Sequence, residues 1–171
     1  MPTKKKHWGI ITLNFVMFFL SLTLLSGSGI NLTAFGAYPL IALSLLVAYS
    51  GYAPLTRSAV AGLLCGIVLD SIALDCYCFN SVIFFLLAVL ANLLAERVFN
   101  RNLKATVCLC FILCWVYYIS YWLIFLSLSL KFSESVRYLL QYALPSCIYT
   151  AITVIPFYFI YKHFRKPKNE K

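Results

Sequence analysis

Residues able to do acid–base, nucleophilic or metal chemistry are few in this chain. Only 5 carboxylates stand against 14 lysines and arginines in 171 residues. One of them, Asp70, lies inside an apolar run, Gly62-Leu63-Leu64-Cys65-Gly66-Ile67-Val68-Leu69-Asp70. An ionisable group in such a run is costly to bury and is a functional candidate by default. Gly62, Gly66 and Asp70 recur every four residues, so a helix places them on one face. Glycine at that spacing lets a second helix approach closely, against the carboxylate. Asn80 opens the next apolar run on the same side and can donate a hydrogen bond to Asp70. Three roles are open to Asp70: pairing within the protein, a hydrated helix end, or contact with a substrate or proton. Arg57 is at the far end of the same run, roughly 20 Å away by helical rise, and is out of reach as a partner.

The remaining candidates are weaker. Of 7 cysteines, Cys65, Cys108, Cys110, Cys114 and Cys147 fall in apolar runs, where a thiol behaves as a small hydrophobe. Cys76 and Cys78 share a polar break, at a spacing that suits neither zinc nor a ready disulfide. Both histidines, His7 and His163, stand far from them towards the chain ends, so no metal site is expected. There is no Gly-x-Ser-x-Gly, no His-Glu-x-x-His and no phosphate loop. The expectation is a protein that is not an enzyme and holds no cofactor. A group of rings, Trp115, Tyr117, Tyr118, Tyr121 and Trp122, sits mid-run, where an interfacial belt would not put it. Tyrosine hydroxyls there need partners, so part of this face looks at protein or a cavity. Tyr118 and Trp122, with Asp70, are the candidates to line an outward pocket.

The elements that carry these residues follow from composition. The chain is 63% hydrophobic, 17% aromatic and 11% charged, where a soluble domain carries about 25% charged residues. A soluble enzyme, a disordered chain and a secreted disulfide scaffold are thereby excluded. Six stretches approach the roughly 20 residues needed to cross a bilayer: 8–25, 30–52, 56–74, 79–95, 105–130 and 142–161. The expected fold is all-α, a single polytopic membrane bundle of six transmembrane helices over residues 1–171. Pro39 in the second span and Pro145 and Pro156 in the sixth are expected to kink their helices. Ser133-Glu134 reads as a helix start, extending the sixth helix outward through 135–142. The fifth span is long, so it tilts or protrudes. Lys4–Lys6, an apolar run and Ser26-Gly27-Ser28 imitate a signal peptide. That run exceeds the usual length and its small-residue site fits poorly, so it is read as the first span.

Charge then gives direction. With six spans, 12 basic residues fall on the side of the termini and only Lys131 and Arg137 on the other. That asymmetry puts both termini in the cytoplasm. The net charge of +9 thus needs no nucleic-acid partner. Arg97, Arg101 and Lys104 are expected to touch phospholipid of the inner leaflet.

The stretch 39–54 followed by Gly62-x-x-x-Gly66-x-x-x-Asp70 resembles the MreD rod shape-determining membrane proteins of bacteria. Those proteins have a proline early in the second span, a glycine-rich third span ending in aspartate, and an outer turn opening the fourth. The resemblance is best over 39–92, about a third of the chain, with Pro39, Gly62, Gly66 and Asp70 at matching places. Leu40 stands where the family often has a polar residue, and Cys78 where it commonly has glycine. The resemblance implies a non-enzymatic scaffold of the cell-elongation complex in the bacterial inner membrane. It would bind the single-span protein MreC beside a glycosyltransferase and a transpeptidase, with the actin-like MreB an indirect partner. It also implies a fold akin to the substrate-capturing subunits of energy-coupling-factor vitamin transporters, which are the rival reading. Those subunits usually carry Ala-x-x-x-Ala in the first span, whereas 8–25 contains no alanine.

Overall fold

The computed structural model describes residues 40–72, 78–97, 102–126 and 137–164. The expected first span, Pro39 and Arg101 lie outside these residues. The described elements are α1 (Ile41–Ser50), α2 (Leu55–Ile72), α3 (Phe79–Arg97), α4 (Leu103–Tyr121) and α5 (Leu144–Phe164). No strand occurs among them. Among the described residues, three stretches are long and apolar enough to cross a membrane: Phe79–Glu96, Leu103–Phe125 and Leu139–His163. Their outer surfaces agree with that reading. Val82, Leu123 and Ile152 are 55%, 59% and 56% exposed, an apolar surface suited to hydrocarbon rather than water.

α1 is apolar all round, and such a helix belongs in a core. Nine of its ten residues are buried, Tyr49 being the half-buried one, and α2, α3, α4 and α5 all pack on it. Its start falls inside the expected second span, of which 30–39 lie outside the described residues. Leu40 has φ −79° and ψ 73°, outside the helical region, so the helix begins only at Ile41. Ten residues rise about 15 Å, half a membrane. The expected break at Ala53-Pro54 is present, with Pro54 opening α2 by accepting the Arg57 and Ser58 N–H groups through its carbonyl.

Two π-helical turns modify the expected fifth and sixth spans. α4 continues as a π turn over Trp122–Leu126, and another, Leu139–Ala143, leads into α5. The second sits just before Pro145. Proline has no N–H to offer the carbonyl four residues back, and a widened turn accommodates the loss. Helix is already present at Arg137, in the stretch expected to extend the sixth span, and Pro156 lies within α5.

Candidate functional site

α2 and α3 are the most extensively packed helix pair among the described elements, and small residues let them meet. A Cβ on Gly62 would stand 2.5 Å from the Phe84 carbonyl oxygen and 2.6 Å from the Ala88 Cβ. One on Gly66 would stand 2.5 Å from the Asn80 carbonyl oxygen and would run into the Ser81 Cα. The glycine face is thus filled by α3 of the same chain and is not free to receive another protein.

This approach delivers Asp70 to the start of α3. Its carboxylate accepts the Asn80 N–H at 3.0 Å, the Ser81 N–H at 2.8 Å and the Ser81 hydroxyl at 2.5 Å. The first turn of a helix has N–H groups without intrahelical acceptors, and its dipole favours a negative charge. Asp70 supplies both needs from a neighbouring helix. Of its three open roles, the geometry selects pairing within the protein, although the side chain remains half-buried. Asn80 contributes its backbone N–H to this cap. Its side-chain Oδ1 accepts the Tyr117 hydroxyl at 2.8 Å, which ties α4 to the same point. The Tyr117 ring packs edge-on to Phe84, with centroids 5.7 Å apart.

Neither Tyr118 nor Trp122 is among the hydrogen-bond partners of the Asp70 carboxylate. Tyr118 stacks edge-on to the Tyr117 ring, with centroids 5.6 Å apart. Trp122 lies in the π turn with its indole N–H buried and unpartnered among the described residues. A small cavity of about 10 Å³ lies elsewhere, between Val47, Gly51, Ala95, Thr106 and Tyr158. That is about the space of one water molecule. On the basic side, Lys104 is exposed in the first turn of α4. Lys162 holds its ammonium 5.9 Å above the Tyr158 ring. The Arg97 side chain is outside the described residues.

A second polar cluster has no counterpart among the residues singled out from the sequence. Asn92 is fully buried on α3, and its Nδ2 donates to the Ser50 and Ala53 carbonyls, both at 2.8 Å. It thereby caps the C-terminal end of α1. The Ser50 and Ser58 hydroxyls meet at 2.6 Å, and Ser58 donates to the Ala88 carbonyl at 3.1 Å. Ser58 is one turn before Gly62, so the small-residue face runs Ser58, Gly62, Gly66, Asp70. That extra turn is the signal the sequence offers for it. At the opposite end of α1, the Leu40 N–H donates to Thr150 Oγ1 of α5 at 3.0 Å. The central helix is therefore held at both ends by side chains of its neighbours.

Cys78, in the turn before α3, has φ 60°. L-residues pay a steric penalty in that left-handed conformation and glycine does not.

No family model, curated protein or solved structure matches this chain.

Proposed function

We propose that the chain is a six-span membrane scaffold of the bacterial cell-elongation complex, similar to MreD proteins. It binds MreC and helps direct lateral peptidoglycan synthesis by the associated glycosyltransferase and transpeptidase. Both termini are cytoplasmic, and the basic residues face the inner leaflet. The observation that carries the reading is the use made of Asp70. The residue with most claim to chemistry, at the end of the stretch that resembles MreD, is engaged in joining α2 to α3. A carboxylate so engaged builds a rigid hairpin rather than a substrate site.

The opposite face of that hairpin supplies a recognition surface. Val60, Leu63, Leu64 and Ile67 of α2 are exposed, as are Val82, Phe85, Leu86, Leu90 and Leu93 of α3. Affinity purification of the full chain in mild detergent tests the proposal. Recovery of a single-span protein with a large outer domain is expected. Repeated recovery of a cytosolic ATPase motor instead would overturn the scaffold reading in favour of a vitamin-transporter subunit. A reporter fused after Lys171 should signal cytoplasm, and an extracytoplasmic signal would overturn the six-span topology.

A further inference from the structure

Asn92, on α3, is 0% exposed, and its Oδ1 has no hydrogen-bond partner among the described residues. Exchanging the amide oxygen and nitrogen does not relieve this. It would set Oδ1 against the Ser50 and Ala53 carbonyl oxygens, which now accept the Nδ2 hydrogens at 2.8 Å each. The serines beside it are also short of hydrogens. Ser50 Oγ meets the Leu46 carbonyl at 2.8 Å, Ser58 Oγ meets the Ala88 carbonyl at 3.1 Å, and the two hydroxyls meet each other at 2.6 Å. Two hydroxyl hydrogens cannot serve three contacts at once. Oxygen lone pairs thus outnumber the hydrogens that face them. The cluster stands at the C-terminal end of α1, where the helix dipole adds partial negative charge. A positive ion completes such a site better than water, which brings two further lone pairs with its hydrogens.

We propose that the C-terminal end of α1 binds a small monovalent cation, with the Asn92 amide as its key ligand. Two backbone carbonyls already converge on one side-chain nitrogen. With the amide turned over, Oδ1 joins them, and three oxygens face a single cation between them. Where a short helix stops inside a membrane protein, its freed carbonyls hold sodium in this manner, and α1 is ten residues long. Every ligand is neutral, which suits a single charge, whereas calcium and magnesium are held through carboxylates. Asp70 is engaged at the far end of α2. The inference rests on this cluster and stands whether the chain is a scaffold or a transporter subunit.

The way in is short. Gly51, next to Ser50, and Ala95, about one turn on from Asn92, both line the one-water cavity. In the turn that joins α1 to α2, Gly51 and Tyr52 are half-buried and Pro54 is exposed. Glu96, one turn beyond Asn92, and Arg57, just before Ser58, are both exposed, so solvent screens their opposite charges.

The test measures binding of radiolabelled sodium to the full chain in detergent micelles. Thermal unfolding, followed by circular dichroism, is compared in NaCl and in choline chloride of equal ionic strength. One sodium per chain is expected, displaced by unlabelled sodium and not by choline, with a melting temperature that rises with NaCl and then saturates. Asn92→Ala should abolish both effects. Asn92→Asp keeps an oxygen and adds charge, so it should bind sodium more tightly and show a wider gap in melting temperature between the two salts. Ser44→Ala removes another buried hydroxyl of α1, bonded to the Ile41 carbonyl, and should leave both effects intact. Absence of retained sodium with equal melting in the two salts would overturn the site and leave water as the partner of Oδ1. Sodium binding that survives in Asn92→Ala would overturn it as well. Should Asn92→Ala lose its helicity, Asn92→Asp decides, and a sodium affinity no greater than that of the unmodified chain would overturn the proposal.

Discussion

Replacing Asp70 by asparagine and by leucine separates the interhelical cap from mere polarity at that position. Asp70→Leu removes all three acceptor contacts and strands the Asn80 and Ser81 N–H groups in the first turn of α3. Hydrogen bonds to a charged group are worth about 1.5–3 kcal/mol each, and loss of an N-cap costs about 0.5–2 kcal/mol. The carboxylate is half-buried, so water recovers part of this, and a net loss of about 3 kcal/mol is expected. Asp70→Asn keeps one carbonyl oxygen for one N–H group, while the Ser81 hydroxyl can turn to accept from the new amide. What remains to be lost is one N–H contact and the attraction between charge and helix dipole, about 1 kcal/mol together. The difference of about 2 kcal/mol corresponds to roughly 30-fold in an opening equilibrium. Hydrogen exchange at the Asn80 and Ser81 amides in detergent micelles reads it directly. Exchange should be roughly 30-fold faster in the leucine variant than in the asparagine variant. Equal exchange in the two, or no change from the unmodified chain, would refute the capping argument. Partner recovery should follow the same order, largely kept with asparagine and impaired with leucine.

Four further substitutions probe the same framework by unfolding in a denaturing detergent followed by circular dichroism. Gly66→Ala should destabilise by about 1–3 kcal/mol, the usual cost of overpacking, because its Cβ meets the backbone of Asn80 and Ser81 and not a movable side-chain tip. Tyr117→Phe keeps the ring against Phe84 and loses the hydroxyl's bond to Asn80, so about 1 kcal/mol is expected. Asn92→Ala leaves the Ser50 and Ala53 carbonyls without their donor in a sealed site and should cost about 2–4 kcal/mol. Cys78→Gly should stabilise by about 0.5–1 kcal/mol by relieving the left-handed backbone, the gain being reduced by glycine's greater freedom when unfolded. A destabilised Cys78→Gly would show that the thiol makes a contact worth more than the strain.

The local rules of the chain are legible in its sequence alone. Long apolar runs without alternation specify helices, since lipid leaves no other way to satisfy the backbone. Pro54 marks a helix start because proline disrupts a helix interior but not its first turn. The four-residue recurrence of Gly62, Gly66 and Asp70 identifies a face made for close approach. It leaves open what approaches.

Tertiary structure decides the partners. It assigns the glycine face to α3 of the same chain, gives Asp70 two backbone N–H groups and a serine, and chooses Tyr117 over Tyr118 as the link to Asn80. It also gathers Ser50, Ser58 and Asn92 into a buried cluster. The physical reason is that a helix in hydrocarbon is apolar towards lipid and towards protein alike, so its apolar residues do not say which neighbour each face meets. Rotation and crossing angle emerge only when small residues let particular backbones touch. Hydrogen-bond partners then follow from those contacts.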